Sequence, residues 1–180
     1  MTLAPLRMVS EAALLAAQRH SGMARKGRGN EPYINHLAEV ANLVSEASGG
    51  ADAELIAAAW LHDIIENTET TREELADRFS VRVAALVVEV SDDMGLPESE
   101  RRRLQVVAGP HKLPDAKLIK IADKISNIRA RIVREPSEAE RDDLTDYVNW
   151  AEKVVAGCRG GNPVLDRTFD DTVKLARSFP

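Results

Sequence analysis

The chain has 180 residues, 44% hydrophobic, 29% charged and 4% aromatic, which is enough for one domain with a full core and ordinary for a globular protein. Its formal net charge of −5 argues against a general nucleic-acid binder, but not against a phosphorylated small molecule, because local basic clusters can cradle phosphates on an acidic surface. No apolar run reaches bilayer-spanning length, residues 1–7 are too short and weakly apolar for a secretory signal, and the single cysteine, Cys158, excludes an internal disulfide or a cysteine-rich zinc site and fits a cytoplasmic location.

Ser10 is placed to cap a first helix running to about His20, with Leu14 and Leu15 inward. Residues 21–32 carry glycines and a proline and read as a loop. Its positive charge, in Arg25, Lys26 and Arg28, is concentrated just before His36, which makes it a phosphate-facing loop. From Asn35 a helix is marked by Leu37, Val40, Ala41 and Val44 at helical spacing, and Gly49-Gly50 ends it.

Asp52 caps the central helix. Residues 57–68 carry Ala57-Ala58-Ala59-Trp60-Leu61 into His62-Asp63, then Glu66-Asn67, with no glycine or proline, and are expected to form the C-terminal half of that buried helix. Buried His, Asp and Glu each incur a desolvation penalty, and one bound cation would offset all of them. Adjacent helical residues point about 100° apart, so His62 and Asp63 alone can only flank an ion. Glu66 lies four residues after His62 and three after Asp63, which puts a carboxylate on the same face.

Thr71 and Glu74 have the spacing of a capping box before a short helix with Leu75. Residues 81–90 alternate like a strand, but Ser80 in front and the helical surroundings favour a helix. Residues 91–97 form a turn, and the Arg101-Arg102-Arg103 triplet after it reads as the solvated face of a charged helix. Pro114 opens a long helix with Leu118, Ile121, Ile125, Ile128 and Ile132 inward. Asp123 and Asn127 on it are four apart and can reach one site. Ser137 with Glu140 begins a helix burying Leu144, Val148, Ala151 and Val155, and Asn162-Pro163 begins the last, with Leu165 and Phe169. The fold class is therefore all-α. A single domain is expected over 1–180, with a motif-bearing core over about 10–157 and a C-terminal helix over about 162–177.

The order His36, His62-Asp63, Asp123 resembles the ligand pattern of HD-superfamily phosphohydrolases. The resemblance sharpens to the hydrolase domain of RelA/SpoT homologues through Arg25-Lys26, Glu31-Pro32-Tyr33-Ile34-Asn35-His36, Leu61-His62-Asp63-Ile64-Ile65-Glu66-Asn67-Thr68, Lys120-Ile121-Ala122-Asp123-Lys124 and Asn127-Ile128-Arg129. Tyr147, Trp150-Ala151 and 154–157 resemble the tail of the stand-alone small alarmone hydrolases. This resemblance implies a single-domain helical HD fold and removal of the 3′-pyrophosphate from guanosine tetra- and pentaphosphate, giving GDP or GTP. It implies one Mn²⁺, with Fe²⁺ or another divalent ion as substitutes, held by His36, His62, Asp63 and Asp123. Glu66 and Asn67 fall at the acidic pair near the attacking water. Arg25, Lys26, Asn127, Arg129 and Tyr147 fall at nucleotide contacts. The partner implied is a small nucleotide, with no nucleic acid and no membrane.

The chain departs from the pattern at Asn67, where the family has Asp, at Met23, where it has Gln, at Asp143, where it has a basic residue, and in the segment after Arg129. Two imidazoles and two carboxylates suit Mn²⁺ or Fe²⁺ better than structural zinc. Two alternatives stand beside this reading. One is a phosphohydrolase of the same fold acting on another nucleotide, such as a dinucleotide cofactor phosphate or a nucleoside monophosphate. The other, motivated by Asn67, is an alarmone-binding sensor with weakened turnover.

Overall fold

The computed structural model describes residues 4–25, 30–132 and 136–179. Regular structure among them is helical apart from an isolated antiparallel bridge between Ala24 and Pro32. Helix α1 (Pro5–Arg19) begins before Ser10, because Pro5 takes the first position, where a fixed φ and a missing N–H cost nothing. Ser10 is therefore an interior residue and not a cap. Of the two leucines expected inward, Leu15 is 2% exposed and Leu14 53%. Neighbours on a helix diverge by about 100°, and only one can face the core.

Helix α2 (Ile34–Ala47) buries Leu37, Val40, Ala41 and Val44. Gly49 and Gly50 then take φ of +65° and +71°, a region open to glycine at little cost. Asp52 caps α3 (Ala53–Trp60), accepting the Leu55 N–H at 3.0 Å. Leu55 through Ala59 are all buried, and α3 is wrapped by α1, α2 and α6 (Val81–Val90).

The expected continuous helix over 57–68 is broken. After Trp60, the Leu61 N–H is shared between the carbonyls of Ala57 and Ala58, and the Ile64 N–H bonds Leu61 O at 3.0 Å. Regular structure resumes only as the single turn α4 (Ile64–Asn67). His62 and Asp63 lie in the break.

Thr71 caps α5 (Arg72–Arg78), but Glu74 pairs with Arg19 at 2.7 Å, so the reciprocal box is not formed. Helix α6 buries Val83, Leu86, Val87 and Val90 behind the Ser80 cap, so its alternating valines are helical as expected. Helix α7 (Glu98–Ala108) and the short 3₁₀ turn Gly109–His111 lead to α8 (Pro114–Arg131), which buries Ile121, Ile125 and Ile128. Ser137 and Glu140 form a complete capping box at the start of α9 (Glu138–Ala156), and Asn162 caps α10 (Pro163–Ser178).

Helix α8 packs against α2, α6, α9 and α10. The Arg82 guanidinium joins three elements, bonding Asp52 before α3 at 2.6 Å, Glu54 at 3.1 Å and Asp115 on α8 at 2.7 Å. The sum brings the start of α2, the end of α3 and the middle of α8 to one place. No helix among the described residues is long and apolar enough to cross a membrane.

Candidate active site

His36 in the first turn of α2, His62 and Asp63 in the break after α3, and Asp123 on α8 meet at the centre of the fold. His36 Nε2 lies 3.3 Å from Asp63 Oδ2 and 3.4 Å from Asp123 Oδ1. His62 Nε2 lies 3.2 Å from Asp63 Oδ2 and 3.9 Å from Asp123 Oδ1. A regular helix would have sent His62 and Asp63 in different directions. The loss of α-geometry at 61–63 aims both inward.

The donor set fits a divalent cation. Ligand atoms of His36, His62 and Asp123 lie within 4.8 Å of one another, and all three residues are buried. His62 Nδ1 bonds Ala59 O at 2.9 Å and keeps its proton there, so that in the neutral form a cation requires, the lone pair is on Nε2, facing the centre. Nε2 is buried, and apart from the Asp63 and Asp123 carboxylates, which it faces without a well-aligned hydrogen bond, nothing there satisfies it; a cation among these groups would.

The local charges show the same design. Burial disfavours ionised Asp63, but the His62 and His36 imidazoles outweigh it and hold the carboxyl well below the ordinary range. Burial likewise opposes ionised Asp123, and Lys124 with the two histidines overcomes it. Burial pushes His62 down, yet Asp63 and Asp123 raise it to about 9 in the ion-free protein.

Glu66 sits on α4 beside this centre. Its Oε1 accepts the Asp92 N–H at 2.7 Å, and burial together with the Asp63 charge raises its carboxyl to about 7. Asn67 is exposed on the wall of a cleft of about 510 Å³ that it shares with Met23, Arg25, Tyr33, Asn127 and Arg131. A second cavity of about 250 Å³ is lined by Arg101, Arg102, Gln105, Tyr147 and Trp150, and Asn127 and Arg131 also face it.

The other nucleotide contacts expected from the sequence are placed unequally. Asn127 lies between both cavities and donates to Asp123 Oδ1 at 2.5 Å. Arg25 lines the cleft but is buried, and its Nη2 donates to Ser126 O and Asn127 Oδ1. Lys26 lies outside the described residues. Tyr147 is buried, with the Arg131 guanidinium 3.7 Å from its ring centroid and one edge on the second cavity. Arg129 does not join the group: it pairs with Glu39 at 2.9 Å and lines a separate depression against α10. Packing of α8 decides this, since Asn127 and Arg131 are four residues apart on one face and Arg129 lies between them.

Several residues were not singled out by sequence reasoning. Tyr33 donates its hydroxyl to Asp63 Oδ2 at 2.6 Å and stacks on His20. Lys124 pairs with Asp123 Oδ2 at 2.8 Å and lies over the Trp150 ring. Arg131 faces both cavities; its spacing from Asn127 was the available signal. Arg101 and Arg102, expected as a solvated face, line the second cavity, whereas Arg103 is exposed in a pair with Glu100.

An all-helical fold that gathers two imidazoles and two carboxylates, with a flanking glutamate and a basic cleft, defines the class: a hydrolase with a divalent-cation site. A family model described as HD domain matches residues 12–148, and the chain belongs to that family. Curated relatives named guanosine-3′,5′-bis(diphosphate) 3′-pyrophosphohydrolase MESH1 include that of Xenopus tropicalis, 40% identical over 91% of both chains. The Homo sapiens protein of that name is 40% identical over 91% of this chain and 92% of its own. Among solved structures, a metazoan ortholog of SpoT reported to hydrolyse ppGpp matches with a TM-score of 0.89 and 34% identity, over 99% of this chain and 100% of that one. Lmo0812 of Listeria monocytogenes EGD-e shares the fold, with a TM-score of 0.64 at 24% identity over 81% of this chain and 98% of that one.

Proposed function

We propose that this protein hydrolyses the 3′-pyrophosphate of guanosine tetra- and pentaphosphate, yielding GDP or GTP and pyrophosphate, with one Mn²⁺ held by His36, His62, Asp63 and Asp123. The observation that carries this reading is the meeting of those four side chains beside a basic cleft, in a chain whose relatives bear that activity in their names. A bound divalent cation supplies an acidified water and offsets charge on the phosphoryl group.

The chain's own residues do the rest. Glu66 is tethered through Oε1 to the Asp92 backbone, which leaves Oε2 to accept a proton from water near neutral pH. Tyr33 donates to Asp63 and fixes the orientation of that carboxylate. The larger cleft receives the nucleoside, with Arg25 and Asn127 on its wall, and Lys26 is assigned to the phosphates. Arg101, Arg102 and Arg131 face the second cavity, whose positive charge suits the remaining phosphates. Tyr147 forms the floor beside them. Asn67 can hold a water by hydrogen bonds but cannot take its proton, so turnover is slower than with two acids.

The test is release of pyrophosphate from guanosine tetraphosphate by purified protein with Mn²⁺. No release would overturn the proposal. The exposed Asn67 on the cleft favours a second reading, an alarmone sensor, which tight binding without product would support. Release of phosphate from another nucleotide in a substrate panel, and not from the alarmone, would redirect the substrate assignment.

A further inference from the structure

Behind His36 lies a line of polar groups that none of the roles above uses. His36 Nδ1 is 2.9 Å from Ser126 Oγ, Ser126 Oγ is 2.5 Å from Glu39 Oε2, and Arg129 Nη1 is 2.9 Å from Glu39 Oε1. Ser126 is fully buried on α8, and Glu39 stands one helical turn after His36 on α2.

Counting protons gives this line a direction. Burial alone would push the Glu39 carboxyl up, but bonds from Ser126 and Arg129 hold it below the ordinary range, so it is ionised and only accepts. The single Ser126 hydroxyl proton must therefore point at Glu39. The serine oxygen is left with lone pairs toward His36, so His36 Nδ1 must carry the hydrogen in that contact. Arg25 Nη2 comes within 3.2 Å of the same nitrogen, but its two hydrogens have acceptors at Ser126 O, 3.3 Å away, and Asn127 Oδ1, 3.2 Å away. Two hydrogens shared among three neighbours leave Nη2 only a divided contact with the imidazole, longer than the 2.9 Å contact of Ser126 Oγ with the same nitrogen. With Nδ1 protonated, the lone pair of neutral His36 sits on Nε2, the atom that faces Asp63 and Asp123.

We infer that Ser126 and Glu39, buttressed by Arg129, form a serine-bridged carboxylate–histidine relay that selects the tautomer and orientation of His36 for cation binding. The inference rests on the metal centre proposed above. Ser126, Glu39 and Arg129 are positioning residues, and Arg129 acts from behind the centre, through Glu39. The direct carboxylate–histidine pair of many metal sites is here lengthened by one hydroxyl, which lets α8 contribute to orienting a ligand on α2.

The readout is cation affinity, measured by calorimetric titration of Mn²⁺, with the visible absorption of bound Co²⁺ as a second signature. Ser126→Ala should weaken Mn²⁺ binding by roughly 10–100-fold and alter the Co²⁺ spectrum. Ser126→Thr, which restores the hydroxyl, should bring affinity back to within about threefold of the unaltered protein. Glu39→Gln keeps an acceptor but loses the charge, and should cost about tenfold. The Glu39 side chain is 29% exposed, so that variant still reports if Ser126→Ala does not fold. Unchanged affinity and spectrum in the folded variants, with tight binding by the unaltered protein, would overturn the relay alone. Absence of Mn²⁺ and Co²⁺ binding by the unaltered protein would overturn the metal centre, and the relay with it.

Discussion

Glu66 and Asp92 are joined by one hydrogen bond, from the Asp92 backbone N–H to Glu66 Oε1 at 2.7 Å, across 26 residues of sequence. The bond holds the glutamate at the edge of the histidine–aspartate centre. It also pins the loop after α6, where Gln105 on α7 donates to Asp92 Oδ2 at 2.6 Å. The glutamate's position is thus set by α6 and α7 as well as by its own helical turn.

Glu66→Gln should lower kcat by about 10²–10⁴ if the carboxylate is the base, with little change in Mn²⁺ affinity. Stability adds a pH test. The carboxyl is raised from 4.5 to about 7 by burial and the Asp63 charge, so the ion-free fold favours the protonated form. That contribution is fully present below about 4.5 and is lost as pH rises through about 7. Melting of the ion-free protein relative to Glu66→Gln, from pH 4.5 to 8, should show the unaltered protein losing ground as pH rises.

Cation binding should release protons. His62 is raised to about 9 by Asp63 and Asp123 against the opposing effect of burial, so at neutral pH its ion-free form is protonated. A ligand imidazole must be neutral. Apparent Mn²⁺ affinity should therefore rise with pH up to about 9, close to tenfold per unit for one displaced proton. Calorimetry at pH 7.5 in buffers of different ionisation enthalpy counts the protons directly.

Asn67→Asp should raise turnover, by about tenfold or more, because a second carboxylate beside Glu66 can accept a proton that an amide cannot. Single-turnover rates with guanosine tetraphosphate check this. An unchanged rate would mean that Glu66 alone carries the proton transfer.

Arg131→Ala should raise KM for the nucleotide by roughly tenfold, as expected for one lost charge-assisted hydrogen bond, with kcat nearly unchanged. Its guanidinium lies on the Tyr147 ring between the two cavities, held by Asp143 Oδ2 and Asn127 O, each at 3.0 Å. A KM–kcat split from steady-state kinetics separates this role from a structural one.

Gly157→Ala should destabilise the fold by about 1–3 kcal/mol through overpacking. A Cβ at that position would meet Pro110 Cδ at 2.7 Å and Pro110 N at 2.9 Å. Both partners lack freedom to retreat, because the proline ring is rigid and sits in the 3₁₀ turn packed on the end of α9. Chemical denaturation with the cation present measures the loss.

Most of the local structure can be read from short stretches of the chain. Caps at Asp52, Thr71, Ser80, Ser137 and Asn162 are set by contacts within three residues, and the apolar spacing of α2, α6, α8 and α9 is a property of each segment alone. The order His36, His62-Asp63, Asp123 was legible for the same reason, since motifs survive as strings. Tertiary structure decided what depended on neighbours far along the chain. Packing of α3 against α1, α2 and α6 accompanies a break at 61–63, which turns adjacent His62 and Asp63 toward one point; helical periodicity alone would have parted them. The seating of α8 against α2 and α10 sends Arg129 to Glu39 and leaves Arg131 facing the cavities, although both are basic and only two residues apart. Arg101 and Arg102 face a cavity because Tyr147 and Trp150 on α9 close its other side. Hydrogen-bond caps act over one turn and can be read locally, whereas the direction of a side chain relative to another helix exists only once both helices are docked.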